Sequence, residues 1–238
     1  MEATKFPPRK RGVYYFMQMN RNQLKYLAVA AMLIDHIAFN LLPNGTLREV
    51  MRFIGRLTNP IMAYFIAEGY IHTRSIKRYI QRLCVFTLIS WMPFNLFVYG
   101  YWPCANLGVI FTLMLGLIAI CVWDKSGMNV AEKMCVILLL CYLSRYGDWR
   151  YVNVILPLLF YIFRKDAPKK WLSYYVFMGL NMFRGALMGG LRMYQTGIYV
   201  FPLLMMCYNG ESGSKSVFHK WFFFVFYPLH LLILWCMR

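Results

Sequence analysis

The stretch that decides the fold, residues 24–42, reads LKYLAVAAMLIDHIAFNLL. Between Lys25 and Pro43 lie about 17 mostly apolar residues, near the lower limit for one helical crossing of a bilayer. The pattern therefore predicts a transmembrane helix with two ionisable side chains, Asp35 and His36, inside the hydrocarbon.

Burying ionisable side chains in a membrane costs free energy, so their presence in a transmembrane helix suggests a functional role. At 1.5 Å per residue, His36 lies roughly 18 Å along the helix from Leu24, beyond the midplane. Asn40 follows one turn later on the same face, so polar atoms form a stripe. A histidine that only hydrogen-bonds a neighbouring helix is the alternative.

The composition is that of a multi-pass membrane protein. The chain has 238 residues, of which 60% are apolar and 15% charged, against about 25% charged in soluble domains. We expect a basic cytoplasmic tail over residues 1–23 and one transmembrane domain over residues 24–238. The first crossing is expected to act as an uncleaved anchor.

The net charge of +17 does not point to nucleic acid, because the positive-inside rule explains most of it. Seven cysteines are scattered without CxxC or metal-ligand spacing, so neither a disulfide framework nor a metal site is expected. The bilayer itself is the expected environment.

Apolar runs between charged residues or Gly/Pro breaks predict an all-α transmembrane helix bundle of about nine crossings, within a range of about eight to ten. They lie near residues 24–42, 53–72, 79–98, 107–123, 132–146, 151–163, 171–188, 193–208 and 217–237. Residues 46–56 are alternatively predicted to form an interfacial helix before the second crossing.

Basic residues set the orientation. With the N-terminus inside, most Lys and Arg residues fall on the cytoplasmic side, whereas the loop 99–106, YGYWPCAN, is uncharged. This N-in, C-out topology places His36 in the outer half of the membrane.

The second crossing carries further candidates. Arg56 lies between Gly55 and Pro60, and it can hold an acidic substrate group or keep Asp35 ionised. Snorkelling to the interface is its alternative role. Glu68 and His72 are spaced to pair on one helix face, either in a site or as a helix-end ion pair.

The remaining candidates lie elsewhere in the chain. Asn106 opens the fourth crossing, and Gly108 and Gly116 allow close helix packing there. His230, after Pro228, is predicted either to face His36 or to bond a neighbouring backbone. The cytoplasmic clusters, including Arg74 and Arg82, fit either the phosphates of an anionic donor or ordinary topology signals.

These residues are consistent with base catalysis in a covered site between the first, second and last crossings. An amine or hydroxyl must lose a proton to attack a thioester, and histidine removes such protons near neutral pH. Asp35 orients the ring or, since consecutive helix residues point about 100° apart, serves Arg56 instead. A covalent acyl-His36 intermediate is the other option.

Several segments resemble the TraX family of membrane proteins, over about residues 22–235. They are LKYLAVAAMLIDHIAFNLLP, FIGRLTNPIMAYFIAEGYIHTRSIKRYIQRL, SWMPFNL, NLGVIFTLMLGL and FYPLHLLIL. The Asp-His pair and the GR…P…EGY…T…Y…RL block are the more specific of these.

TraX proteins are linked to acetylation of the N-terminus of conjugative F-type pilin. The family is similar to the type-three membrane acyltransferases, in which a first-helix histidine is considered catalytic. The resemblance therefore implies His36 as the base with Asp35 beside it, and it matches Arg56 to the family's GR block. It also implies a bacterial inner-membrane location, acetyl-CoA as cytoplasmic donor, and a peptide or glycan acceptor at the outer face.

Two other classes of function stay open. A small proton-coupled transporter would use Asp35, His36, Glu68 and His230 as a relay. A noncatalytic scaffold would tolerate replacement of the buried polar residues. A measurement of CoA binding separates an acyltransferase from both.

Overall fold

The computed structural model describes residues 18–214 and 216–238. Most of the predicted basic tail lies outside this part of the chain. Its last residues are structured, because Met19 pairs with Tyr208 in a parallel bridge and the first helix begins at Arg21. The first helix thus begins three residues before the predicted start at Leu24. Asn20 sets the true start, since its side chain and that of Gln23 cap the helix reciprocally.

The described residues are all-α, as predicted, apart from that isolated bridge. Two 3₁₀ segments, Ser144–Tyr146 and Met193–Val200, interrupt the helices. The α-helices are α1 (Arg21–Leu41), α2 (Thr46–Gly55), α3 (Thr58–His72), α4 (Ile76–Tyr99), α5 (Gly108–Lys125), α6 (Val130–Leu143), α7 (Val152–Ile162), α8 (Ala167–Leu187), α9 (Phe201–Met205) and α10 (Val217–Cys236).

Three of these helices, α1, α4 and α5, are long and apolar enough to cross a bilayer. Shorter apolar helices are α7 and the Trp221–Cys236 part of α10. The protein is therefore a helical membrane protein. The number of crossings and the N-in orientation stay predictions.

The stretch predicted as a crossing over residues 193–208 is not one continuous α-helix. A 3₁₀ segment, Met193–Val200, leads instead into the five-residue helix α9. Gly197 packs directly on the Phe53 carbonyl, where an added Cβ would lie 2.1 Å from the oxygen. Pro202 lacks a backbone donor and breaks a helix that would continue through it. Hydropathy detects neither constraint.

The alternative prediction of a separate helix over residues 46–56 is confirmed by α2. Its apolar residues Leu47, Val50 and Ile54 are exposed on one face, at 64%, 52% and 37%. Arg48 and Arg52 are half-buried, and Arg48 donates to the carbonyl of Phe39 near the end of α1. The helix is thus amphipathic and packs along α1.

Within the region predicted as one transmembrane domain, the helices form two compact units. The first unit contains residues up to Met62 together with Phe163–Phe223 and Arg238. The second contains Ala63–Ile162 and Phe224–Met237. The ionisable pair on α1 belongs to the first unit.

In the second unit, α5 is the central helix. Gly116 lies against the backbone of α7, where an added Cβ would be 2.2 Å from the Asn153 carbonyl oxygen. The packing role predicted for this glycine is therefore confirmed. At the end of α5, Asp124 accepts hydrogen bonds from the hydroxyls of Tyr70 and Tyr161, which ties α3, α5 and α7 together.

Replacing Gly116 with alanine should lower stability, because neither backbone can move apart without losing helix contacts. We expect overpacking to cost about 1–3 kcal/mol, seen as a lower midpoint of thermal unfolding in detergent. Gly127→Ala is the matched control, since no atom lies within 4 Å of its added Cβ. Equal midpoints for the two variants would contradict this packing.

Candidate functional site

A buried ion pair joins α1 to α2 within the first unit. Nη2 of Arg56 donates to Oδ2 of Asp35 at 2.6 Å. Nε of Arg52 lies 3.5 Å from Oδ1 of the same carboxylate. The side chain of Asp35 is only 12% exposed, and those of both arginines 16%. The predicted pairing of Asp35 with Arg56 is therefore confirmed, and a second arginine shares it.

The local sequence explains how both arginines reach the carboxylate. Pro43 and Gly45 end α1 and turn the chain, so α2 returns along α1. Arg52 and Arg56 are four residues apart and therefore lie on the same face. Gly55 allows the contact, because an added Cβ there would lie 2.2 Å from the Cβ of Asp35.

Tyr194 completes this group, called here the arginine–aspartate cluster: Asp35, Arg52, Arg56 and Tyr194. The centre of the Arg52 guanidinium lies 4.2 Å from the Tyr194 ring centroid, and that of Arg56 lies 5.3 Å from it. An aromatic face attracts cations, so the ring helps to hold two like charges near one carboxylate. The cluster joins α1, α2 and the 3₁₀ segment.

Sequence analysis missed Arg52 and Tyr194. The i, i+4 spacing of Arg52 and Arg56 was a signal that both side chains reach one partner. No comparable signal identifies Tyr194, because it lies more than a hundred residues away in a segment predicted as a separate crossing.

His36 follows Asp35 directly and is half-buried on α1. Its side chain points about 100° around the helix from Asp35, whose carboxylate is engaged by the arginines. Asn40 is half-buried one turn further along. Asp35, His36 and Asn40 therefore do not act as one polar stripe. Asp35 has a structural contact with the arginines, and His36 and Asn40 lie on another part of the helix surface.

Asn59 is a buried polar residue of the same unit, 4% exposed, four residues after Gly55. Within the part of the chain that the structure describes, neither polar atom of its amide has a hydrogen-bond partner. Buried groups of this kind are rare in native proteins. The amide is thus able to bind a ligand or a water molecule.

Comparison with known proteins identifies the family. A protein-family model described as TraX protein matches residues 20–238. The chain belongs to the TraX family. It is 32% identical over 229 residues to "Probable fimbrial assembly protein FimC, serogroup H1" of Dichelobacter nodosus, covering 89% of this chain and 93% of that relative. No solved structure matches this TraX protein.

In the second unit, the predicted pairing of Glu68 with His72 takes another form. Glu68 is buried, at 2% exposure. Nδ1 of His72 contacts the backbone carbonyl of Glu68 at 2.9 Å, so this nitrogen is used within α3 itself. Arg74 and Arg82 are exposed, which fits either of the roles predicted for them.

The other two predicted residues of that unit make structural contacts. Asn106 accepts from the backbone of Gly108 and donates to the hydroxyl of Tyr99, which shapes the turn into α5. His230 is 4% exposed, and its Nδ1 bonds the Phe226 carbonyl one turn earlier. Of its two predicted roles, the bond to a neighbouring backbone is confirmed.

No group of three or more His, Cys, Asp or Glu residues among those described is placed to hold a metal ion. What the first unit offers is a charged cluster beside a half-buried imidazole. Arginine side chains can bind oxyanions, and an imidazole can exchange a proton near neutral pH.

The ion pair should stabilise the fold measurably. Asp35→Asn leaves two arginines facing a neutral amide, and we expect a loss of about 3–5 kcal/mol, typical of a broken buried pair. The Asp35→Asn/Arg56→Gln double variant should lose less than the sum of the single variants, because the two changes remove one interaction. Denaturant unfolding in detergent measures all three.

Lys169→Ala is the control for this comparison of single and double variants. Lys169 pairs with Asp166 on the surface, and its side chain is 68% exposed. We expect a change below about 1 kcal/mol, as for exposed pairs generally. Strictly additive losses at Asp35 and Arg56 would mean that the pair contributes nothing.

Proposed function

We propose that this TraX protein is a bacterial inner-membrane acetyltransferase, which moves an acetyl group from cytoplasmic acetyl-CoA to an extracytoplasmic amine or hydroxyl. Membership of the family supports the proposal, because the resemblance implies pilin acetylation. The name of the Dichelobacter nodosus relative refers to fimbrial assembly. A fimbrial subunit with a free N-terminal amine is therefore the first acceptor to test, and a glycan hydroxyl or amine the second.

The observation that carries the proposal is the position of His36. It is a half-buried imidazole on an apolar helix, directly after a carboxylate that is engaged by two arginines. Because the Asp35 carboxylate is engaged by the two arginines, it is assigned no proton-transfer role here. In this account His36 is the base and Asp35 a positioning residue that fixes α1 against α2.

The transfer itself needs one base. As the acceptor nitrogen attacks the acetyl carbonyl, its N–H proton passes to His36. The carbon–sulfur bond of the thioester then breaks, and the CoA thiolate leaves and takes up a proton. If His36 is instead acylated first, its imidazole nitrogen bonds the acetyl carbon as the carbon–sulfur bond breaks and CoA leaves as the thiol. In the second step the acceptor nitrogen bonds the acetyl carbon, the bond to the imidazole breaks, and the acceptor's proton passes to the imidazole.

Two other sets of residues are assigned to substrates. Exposed Arg74 and Arg82 suit the phosphates of CoA at the predicted cytoplasmic side. The amides of Asn40 and Asn59 suit the acceptor, Asn40 because it lies one turn from His36 and Asn59 because its buried amide lacks a partner among the described residues.

Purified protein in lipid nanodiscs, supplied with acetyl-labelled acetyl-CoA, tests the proposal. With a peptide that has a free N-terminal amine, we expect release of CoA and label on the peptide. His36→Gln should reduce the rate by about 10²- to 10⁴-fold, the range typical for loss of a general base.

The controls separate chemistry from folding. His219→Gln also removes an imidazole, one that bonds the hydroxyl of Tyr26 at 2.6 Å, and it should leave the rate within about twofold because that contact is structural. An N-terminally blocked peptide should accept no label. The proposal fails if no acceptor is labelled, or if His36→Gln is as active as the unchanged protein.

A further inference from the structure

We propose that Arg52 forms a binding site for the phosphate of an anionic phospholipid, at the end of α1. The inference goes beyond the proposed acetyl transfer and does not depend on it. It rests on the different contacts of the two arginines in the arginine–aspartate cluster, on the charge of that cluster, and on the exposed apolar face of α2.

The two arginines are not equivalent. Arg56 forms the short bond to Asp35, with 2.6 Å between Nη2 and Oδ2. Arg52 approaches the carboxylate only with Nε, at 3.5 Å, and the centre of its guanidinium lies 4.2 Å from the Tyr194 ring centroid. Among the described residues, the terminal amino groups of Arg52 make no hydrogen bond. The contact with Tyr194 holds the guanidinium in place, and these donors remain for a ligand.

The cluster has an excess of positive charge. Two arginines, always protonated, share one carboxylate, which leaves a net charge of about +1. Glu49 lies three residues before Arg52 on α2 and is half-buried, but it makes no ion pair among the described residues. An arginine fork with two unused amino groups matches the oxygens of a phosphate.

The surroundings identify a lipid as the source of the phosphate. The Arg52 guanidinium lies 5.3 Å from the ring of Phe39, two residues before α1 ends at Leu41. On the same helix as Arg52, Leu47, Val50 and Ile54 are exposed. An amphipathic helix with such a face lies at the boundary between headgroups and acyl chains. The phosphate of a bound lipid would therefore lie at the level of Arg52.

Lipid retention in native mass spectrometry tests the inference, with no acetyl-CoA or acceptor present. The probe is phosphatidylglycerol, compared with zwitterionic phosphatidylcholine. Arg52→Gln should weaken binding of phosphatidylglycerol about tenfold, the loss expected for one charge-assisted contact. Arg48→Gln is the matched control one turn earlier, since Arg48 already bonds Asn44 and the Phe39 carbonyl. It should change binding less than about twofold.

A second variant guards against misfolding. Arg52→Lys keeps the charge but loses the planar fork and its contact with Tyr194, so its binding of phosphatidylglycerol should fall between that of Arg52→Gln and that of the unchanged protein. If Arg52→Gln and Arg48→Gln weaken the binding of phosphatidylglycerol equally, the lipid responds to general surface charge and the inference is overturned. Equal losses in Arg52→Lys and Arg52→Gln would overturn it in favour of packing. Tighter binding of soluble glycerol phosphate than of the lipid would overturn the assignment to the bilayer.

Discussion

One carboxylate shared by two arginines determines the geometry of the first unit. An aspartate in a membrane helix carries a large desolvation penalty unless a partner neutralises it. Here the partners come from α2, which can approach only because Gly55 has no side chain. The ring of Tyr194 then covers both guanidinium groups. The same interaction thus fixes α1, α2 and the 3₁₀ segment.

This arrangement changes how the adjacent Asp-His pair is interpreted. Neighbours in sequence are not neighbours on a helix surface, since they point about 100° apart. The Asp35 carboxylate is engaged by Arg52 and Arg56. In the proposed reaction its contribution is therefore to hold the helix that carries His36. The proposed acetyl transfer therefore needs one base and bound substrates, without a carboxylate–histidine dyad.

Much of the fold could be predicted from the sequence, because the deciding signals are local. Apolar runs predict α1, α4 and α5. The turn at Pro43–Gly45, followed by a more polar stretch, predicts α2. The contact between Asp35 and Arg56 followed from the cost of a lone buried charge. The packing role of Gly116 could be predicted because a glycine in an apolar helix allows a neighbouring helix to approach closely.

What could not be predicted depends on contacts distant in the sequence or on competition for hydrogen bonds. The apolar stretch 193–208 resembles a crossing, but the contact between Gly197 and the Phe53 carbonyl imposes a 3₁₀ segment. Nδ1 of His72 bonds a backbone carbonyl of its own helix, although spacing alone favoured the carboxylate of Glu68. The role of Tyr194 required the folded chain.

The central claim is that the Asp35 carboxylate contacts arginine and not His36. Solid-state NMR of the lipid-embedded protein, with ¹³C in the aspartate carboxyl groups and ¹⁵N in arginine and histidine side chains, measures this directly. Asp35→Asn, compared with the unchanged protein, assigns the signal. The account predicts strong dipolar coupling from the Asp35 carboxyl carbon to an Arg56 guanidinium nitrogen and weaker coupling to Nε of Arg52. Coupling to a ring nitrogen of His36, with none to either arginine, would contradict it.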